Sequence, residues 1–175
     1  MNVTELEECI HLYGKDIYSF CRHLTNSKTE ADELYQETFL KAVEGMERIC
    51  ATSNPKSYLL SIAVRLWKNK KRKNAWRNRI ASMESLTEEK QDCIQSQTPS
   101  LEEQLIEKEQ AKFLRDKIGE LKDRYRIPIY LYYMEDLSIQ EIAKSLKLPK
   151  GTVKSRLFRA RELLREKIDK EKSLQ

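Results

Sequence analysis

Residues 136–168 carry the pattern that most restricts what this chain can fold into. Ser138 stands three residues before Glu141, the spacing of a capping box that opens a helix. Behind it, Ile139, Ile142, Ala143 and Leu146 fall at i, i+3, i+4 and i+7, which is one face of a short helix. Lys147-Leu148-Pro149 then interrupts the run, because proline lacks an N–H and disfavours helical geometry in the residue before it. Lys150-Gly151-Thr152 opens a second helix with Val153, Leu157, Ala160 and Leu164 on its apolar face. Two helices across a tight turn, the second rich in Arg and Lys, predict a helix-turn-helix. Its outward residues Lys150, Thr152, Lys154, Ser155, Phe158 and Arg159 are the candidate readers of duplex DNA. Lys and Arg donate to guanine O6 and N7, Ser serves either base type, and Phe packs on a thymine methyl. Arg156, Arg161 and Arg165 are expected on phosphates or in ion pairs with Glu162 and Glu166.

The rest of the chain also favours helix. Among 175 residues there are only 4 Gly and 4 Pro, so breakers are few. A hydrophobic share of 39% supplies small cores and exceeds what a disordered chain carries. The expected fold class is all-α: two small helical domains joined by a flexible linker, the C-terminal one containing the helix-turn-helix. Residues 1–79 form the first domain and 101–175 the second. Between them, 80–100 lose periodicity and gain Ser, Glu, Gln, Thr and Pro99, a linker composition. Its roughly 20 residues reach about 65–70 Å when extended. Ser100-x-x-Glu103 is a capping box that starts the second domain.

Charge alternates along the sequence, acidic over 1–48, basic over 65–79, acidic over 80–110 and basic again over 150–167. In the first domain, Ala31, Leu34, Tyr35, Thr38, Phe39, Ala42, Val43 and Met46 make the core face of a helix capped by Ser27-x-x-Glu30. Its other face carries Asp32, Glu33, Gln36, Glu37, Lys41 and an exposed Leu40, a candidate docking surface for a partner protein. A Ser-, Thr- and Asn-rich loop follows. A second apolar helix, through Tyr58, Leu59, Ile62, Ala63, Leu66 and Trp67, then runs into basic residues 68–79. Bases interleaved with aromatic rings suit nucleic acid, since cations neutralise phosphates and flat rings stack on unpaired bases. Trp67 fits a core position and a contact position equally, whereas Trp76 among polar residues is expected to be exposed.

Several function classes find no support. Cys9, Cys21, Cys50 and Cys93 form no C-x-x-C pair, and neither His11 nor His23 completes a zinc spacing, so no metal is expected and reduced thiols are. No P-loop, nucleophile–base pair or carboxylate cluster marks a catalytic site, and no cofactor is implied. No stretch is apolar enough to span a bilayer and no signal peptide is visible, so a cytoplasmic protein without membrane insertion is expected.

Three segments in order resemble a known family: EADELYQETFLKAV (30–43), YLLSIAVRLWKNKKRK (58–73) and LSIQEIAKSLKLPKGTVKSRLFRARELL (137–164). They are similar to successive motifs of the sigma-70 superfamily, and their spacing resembles its extracytoplasmic-function (ECF) group. The resemblance implies a non-catalytic transcription initiation factor that binds core RNA polymerase and promoter DNA and is held by an anti-sigma factor. It implies that Asp32, Glu33, Gln36, Glu37 and Leu40 dock on the polymerase. It implies that Ser53, Asn54, Lys56, Tyr58, Arg65, Lys68, Lys71, Arg72 and Trp76 serve minus-ten recognition and melting, and that the face from Lys150 to Arg159 reads the minus-thirty-five element. The alternative from the residues alone is a stand-alone helix-turn-helix regulator, which leaves the first domain unused. The chain departs from the family pattern at Tyr58, Arg65 and Asn69. It also has Leu121-Lys122 where Leu-Pro is usual, and Lys147 where the turn often has Gly. Pro128 predicts a kink or a delayed start in its helix. If the turn needs positive φ at Lys147, the side chain costs on the order of 1 kcal/mol.

Overall fold

The computed structural model describes residues 3–25, 27–45, 54–81 and 102–173. Its described elements are helices: α1 (Val3–Leu24), α2 (Lys28–Glu44), α3 (Pro55–Ala81), α4 (Glu102–Gly119), α5 (Asp123–Tyr133), α6 (Ile139–Leu146) and α7 (Lys150–Lys172). They fall into two compact units, one holding α1–α3 and the other α4–α7. The expected 80–100 linker begins two residues too early, because α3 continues to Ala81; its remainder, with Ser100 and its cap, lies outside the described residues. No described helix is long and apolar enough to cross a membrane.

In the first unit each helix packs on the other two. From α1 come Ile17, Phe20, Cys21 and Leu24, at i, i+3, i+4 and i+7, with Cys9 eight residues before Ile17. Ala31, Leu34, Thr38, Phe39 and Ala42 of α2 meet them, as expected, but Val43 turns out to be 45% exposed. Val43 directly follows Ala42, and a step of 100° about the axis carries it past the edge of the buried stripe. Buried Thr38 donates its hydroxyl to the Leu34 carbonyl at 2.6 Å, which satisfies that polar group within the core face. Ser27 caps α2, its Oγ accepting from the Glu30 N–H at 3.2 Å. Two tyrosines fill the tightest approaches. A Cβ added to Gly14 would stand 3.0 Å from the Tyr35 hydroxyl, and one on Gly45 would stand 2.7 Å from that of Tyr58. Tyr35 stacks edge-on against both Tyr18 and Phe39.

The second unit is built around α7. Val153, Leu157, Ala160 and Leu164 are all buried, against Ile127, Ile129, Tyr130 and Leu131 of α5 and Ile142 and Ala143 of α6. The capping box at α6 is complete: Ser138 Oγ accepts from the Glu141 N–H, and Glu141 Oε2 accepts from the Ser138 N–H at 2.8 Å. Pro128 does not delay its helix. α5 begins at Asp123 and runs through the proline, which is buried between Ile127 and Ile129. Burial of that apolar run offsets the bond that proline cannot donate. The turn after α6 closes with Leu148 N–H on the Ala143 carbonyl at 2.9 Å, and places Lys147 at φ 53°, ψ 51°. This is the left-handed region, so the sequence expectation of strain at Lys147 holds. Asp136 shares it at φ 53°.

A charge network ties α4 to the far end of α7. Lys117 reaches Glu171 and Glu120, and Lys167 donates to Glu120 at 2.5 Å. The Lys167 hydrogen bond holds the Glu120 carboxyl below its usual pKa, and the Glu171 hydrogen bond raises that of Lys117.

Two outcomes follow for stability. Lys147→Gly should raise the unfolding free energy by about 0.5–1 kcal/mol, read by thermal or urea melts; a loss would show that the lysine side chain contributes more than its backbone costs. Glu120→Gln should be less stable than the native chain at neutral pH, by under about 1 kcal/mol because the pair is largely exposed. A depressed carboxylate pKa stabilises above its unfolded value and loses that contribution as pH falls through the folded one. The gap should therefore close in acid. A gap that ignores pH would remove Glu120 from the network.

Candidate nucleic-acid and polymerase interfaces

α3 begins with Asn54, whose Oδ1 accepts from the Ser57 N–H at 3.3 Å, and with Pro55 at its first turn. Asn54 thus caps a helix, a role the Asn-Pro pair signals and the sequence reading passed over. Lys56, the second residue of α3, pairs with Asp16 of α1 at 2.8 Å. Tyr58 is half-buried with its hydroxyl over Gly45. Ser53 lies outside the described residues, as do Cys50 and Cys93. The minus-ten candidates therefore divide. Asn54, Lys56 and Tyr58 gather at the start of α3, where each also holds the fold together.

Arg65, Lys68, Lys71, Arg72 and Trp76 stand exposed further along the same helix. Trp67 is a core residue, 8% exposed, and Lys71 lies over its ring at 5.1 Å. Residues 71–79 beyond it are exposed all round, and Trp76 is 65% exposed. An exposed indole among Lys and Arg has a free face for a base.

On α2, Glu33, Gln36, Glu37 and Leu40 are exposed, Leu40 by 63%, and Asp32 is half-buried. The predicted docking residues do share one outward surface. Two neighbours escaped the sequence reading. Tyr18 of α1 donates its hydroxyl to Asp32 at 2.7 Å, a bond that raises the phenol pKa. Lys70 of α3 bonds Glu33 at 2.6 Å. Both partners lie on other helices, 14 and 37 residues away, so no spacing rule exposes them.

On α7, Lys150, Lys154, Ser155, Phe158 and Arg159 are exposed and Thr152 is half-buried. Phe158, 58% exposed beside two cations, has no place in the core. Lys150 Nζ donates to Gln140 of α6 at 3.0 Å, and Ser155 Oγ to the Thr152 carbonyl at 3.0 Å. Glu162 and Glu166, the acids expected to pair with Arg156, Arg161 and Arg165 where these do not meet phosphates, lie against Arg159 instead. Its Nη1 lies 2.9 Å from Glu162 and 3.8 Å from Glu166, which occupy the next two turns on its own side of the helix. Arg165 pairs with Asp169 at 3.9 Å.

Family models for Sigma-70 region 2 and Sigma-70 region 4 match residues 9–77 and 114–164. The ECF RNA polymerase sigma factor SigW of Bacillus subtilis (strain 168) is 30% identical over 165 residues, covering 92% of this chain and 87% of that protein. The chain belongs to the ECF sigma factors. A second such factor from that organism, SigM, is 28% identical, covering 91% of this chain and 93% of its own. Among solved structures, the sigma factor RpoE in complex with the anti-sigma factor NepR from Bartonella quintana shares the fold. It superposes at a TM-score of 0.78 with 22% identity, over 95% of this chain and 98% of that one. The region 2 match takes in all of α2 and most of α3. The region 4 match runs from within α4 through the buried face of α7. Sigma factors are not enzymes.

The two tryptophans of α3 separate scaffold from surface. Trp67→Ala should cost about 3–5 kcal/mol of unfolding free energy, as large-to-small core changes do. Trp76→Ala should stay within about 0.5 kcal/mol. Urea unfolding of both variants checks this, and equal costs would contradict the division of α3 into a buried and a bare half.

Proposed function

We propose that this ECF sigma factor contributes three surfaces to transcription initiation and no chemistry. The α2 face with Asp32, Glu33, Gln36, Glu37 and Leu40 docks on core RNA polymerase. The α3 surface with Arg65, Lys68, Lys71, Arg72 and Trp76, together with the Ser53–Tyr58 neighbourhood, holds the minus-ten element once it is melted. Here flat rings and cations offset the cost of unstacking, a few kcal/mol. The α7 face from Lys150 to Arg159 reads the minus-thirty-five duplex. Residues 1–79 and 101–175 are the corresponding working domains. Core polymerase performs the reaction.

One observation carries this reading. Both basic runs of the sequence lie on helices that are anchored by an apolar face and bare on the side that would meet DNA. A stand-alone helix-turn-helix regulator needs only the α4–α7 unit. The long exposed end of α3 and the acidic face of α2 have a use only when DNA is opened and a partner carries the protein. The partner supplies orientation, since cations alone bind any duplex and lose affinity steeply with salt. An anti-sigma factor is part of the proposal, in keeping with the RpoE fold having been solved with one bound. The protein acts in the cytoplasm, where polymerase is.

Run-off transcription with core polymerase on a promoter library tests it. The chain should bind core stoichiometrically and confer start-site choice. Lys154→Ala should weaken promoter use in a base-dependent manner, by about 1–3 kcal/mol. A combined Gln36→Ala/Glu37→Ala/Leu40→Ala variant should lose core binding while keeping its fold. Core enzyme that neither binds the chain nor gains start-site choice would refute the proposal.

A further inference from the structure

Building on the reading of α7 as the duplex reader, we propose that Glu162 and Glu166 are positioning residues that set base specificity. They do so by holding Arg159 for a bidentate contact with one guanine. Arg159 lies on the exposed side of α7 next to Phe158 and one turn beyond Ser155. Its Nη1 donates to Glu162 Oε2 at 2.9 Å and faces Glu166 Oε1 at 3.8 Å. Both acids follow Arg159 in the helix, at +3 and +7. A recognition helix meets base edges with its N-terminal residues. The carboxylates therefore grip the guanidinium from the end away from the bases.

A guanidinium presents five N–H donors in one rigid plane. With Nη1 committed to carboxylate, Nε and Nη2 remain, and their parallel N–H bonds match the O6 and N7 acceptors of guanine. The grip changes what the arginine can do in two ways. It removes side-chain freedom that binding would otherwise have to quench. It also offsets the positive charge, so that a phosphate, which asks only for charge, gains less from Arg159 than a directional acceptor pair does. The acids convert a general cation into a selective donor. Their own cost follows from the same physics: two negative charges on a DNA-facing helix lower affinity for every sequence alike.

The test uses holoenzyme assembled from the full chain and core polymerase, with promoters varied one base pair at a time in the upstream element. Glu162 is half-buried and Glu166 exposed, both inside α7, where alanine preserves the helix, and circular dichroism verifies it. With the native chain, one G·C pair should be preferred by roughly tenfold or more, and Arg159→Ala should abolish that preference. Glu162→Ala/Glu166→Ala should bind the library average as well as or better than native. Its preference at that same pair should fall to about threefold or less, with other positions unchanged. Native preference retained by the double variant overturns the proposal. So does an equal loss at every position, or an Arg159→Ala variant with its preferences intact. A native holoenzyme with no upstream base preference at all would instead defeat the parent reading of α7.

Discussion

The buried stripe of α3 carries much of this protein's design. Leu59, Leu60, Ile62, Ala63, Val64 and Trp67 are all lodged against α1 and α2, yet the helix runs on for more than three turns after its last core residue. The far segment has poor reasons to be helical by itself. Lys68 and Arg72, and again Lys73 and Arg77, are like charges four residues apart, a spacing that destabilises an isolated helix. A segment that short would also fail to pay the cost of nucleation in water. It is helical because the buried half has already nucleated it, and each further residue then adds a hydrogen bond to an existing end. The core of the first unit thus holds out a cation-rich helical segment whose residues 71–79 are exposed.

α7 solves the same problem differently. Its apolar face is continuous from Val153 to Leu164, and α5 and α6 cover that face while leaving the opposite one open. The capping box at Ser138 sets where α6 begins, and the left-handed Lys147 sets where it ends, three residues before α7 starts. A one-residue change in that turn would rotate α7 by about 100° relative to α6 and bury the wrong side. The strained lysine is therefore retained at a position where geometry admits little choice. Its positive charge, next to Lys144 and Lys150, lies on the same open edge of the motif.

Where the sequence was legible, a period had a physical cause. The i, i+3, i+4 face of α6, the capping box and the four core residues of α7 were all readable because local spacing and tertiary burial demand the same residues. Val43 escaped because hydrophobicity at the rim of a stripe does not say which neighbour ends the contact. That α5 starts five residues before Pro128, with no delay, escaped because burial, a tertiary effect, outweighed a local penalty. For the candidate surfaces, residue type indicated which side chains face outward but not what restrains them. Tyr18 on Asp32, Lys70 on Glu33 and Asp16 on Lys56 each join two helices. Arg159 and its acids share one helix, so their spacing was visible; which of four arginines would claim them was not.

These restraints alter how the charged surfaces should be understood. An exposed ion pair adds little stability, because its Coulomb gain in water is nearly matched by lost side-chain freedom and solvation. Lys70–Glu33 and Arg159–Glu162 therefore do little to hold the fold. What they do is fix where a charge points before any partner arrives. Lys70 links the basic helix to the acidic face proposed to meet polymerase, so a cation brought to Glu33 by that partner would compete for the carboxylate and leave Lys70 available to a phosphate. Electrostatic exchange of this kind requires no movement of backbone. The packed helices already hold Lys70 and Glu33 within reach of each other, which is all that such an exchange would require.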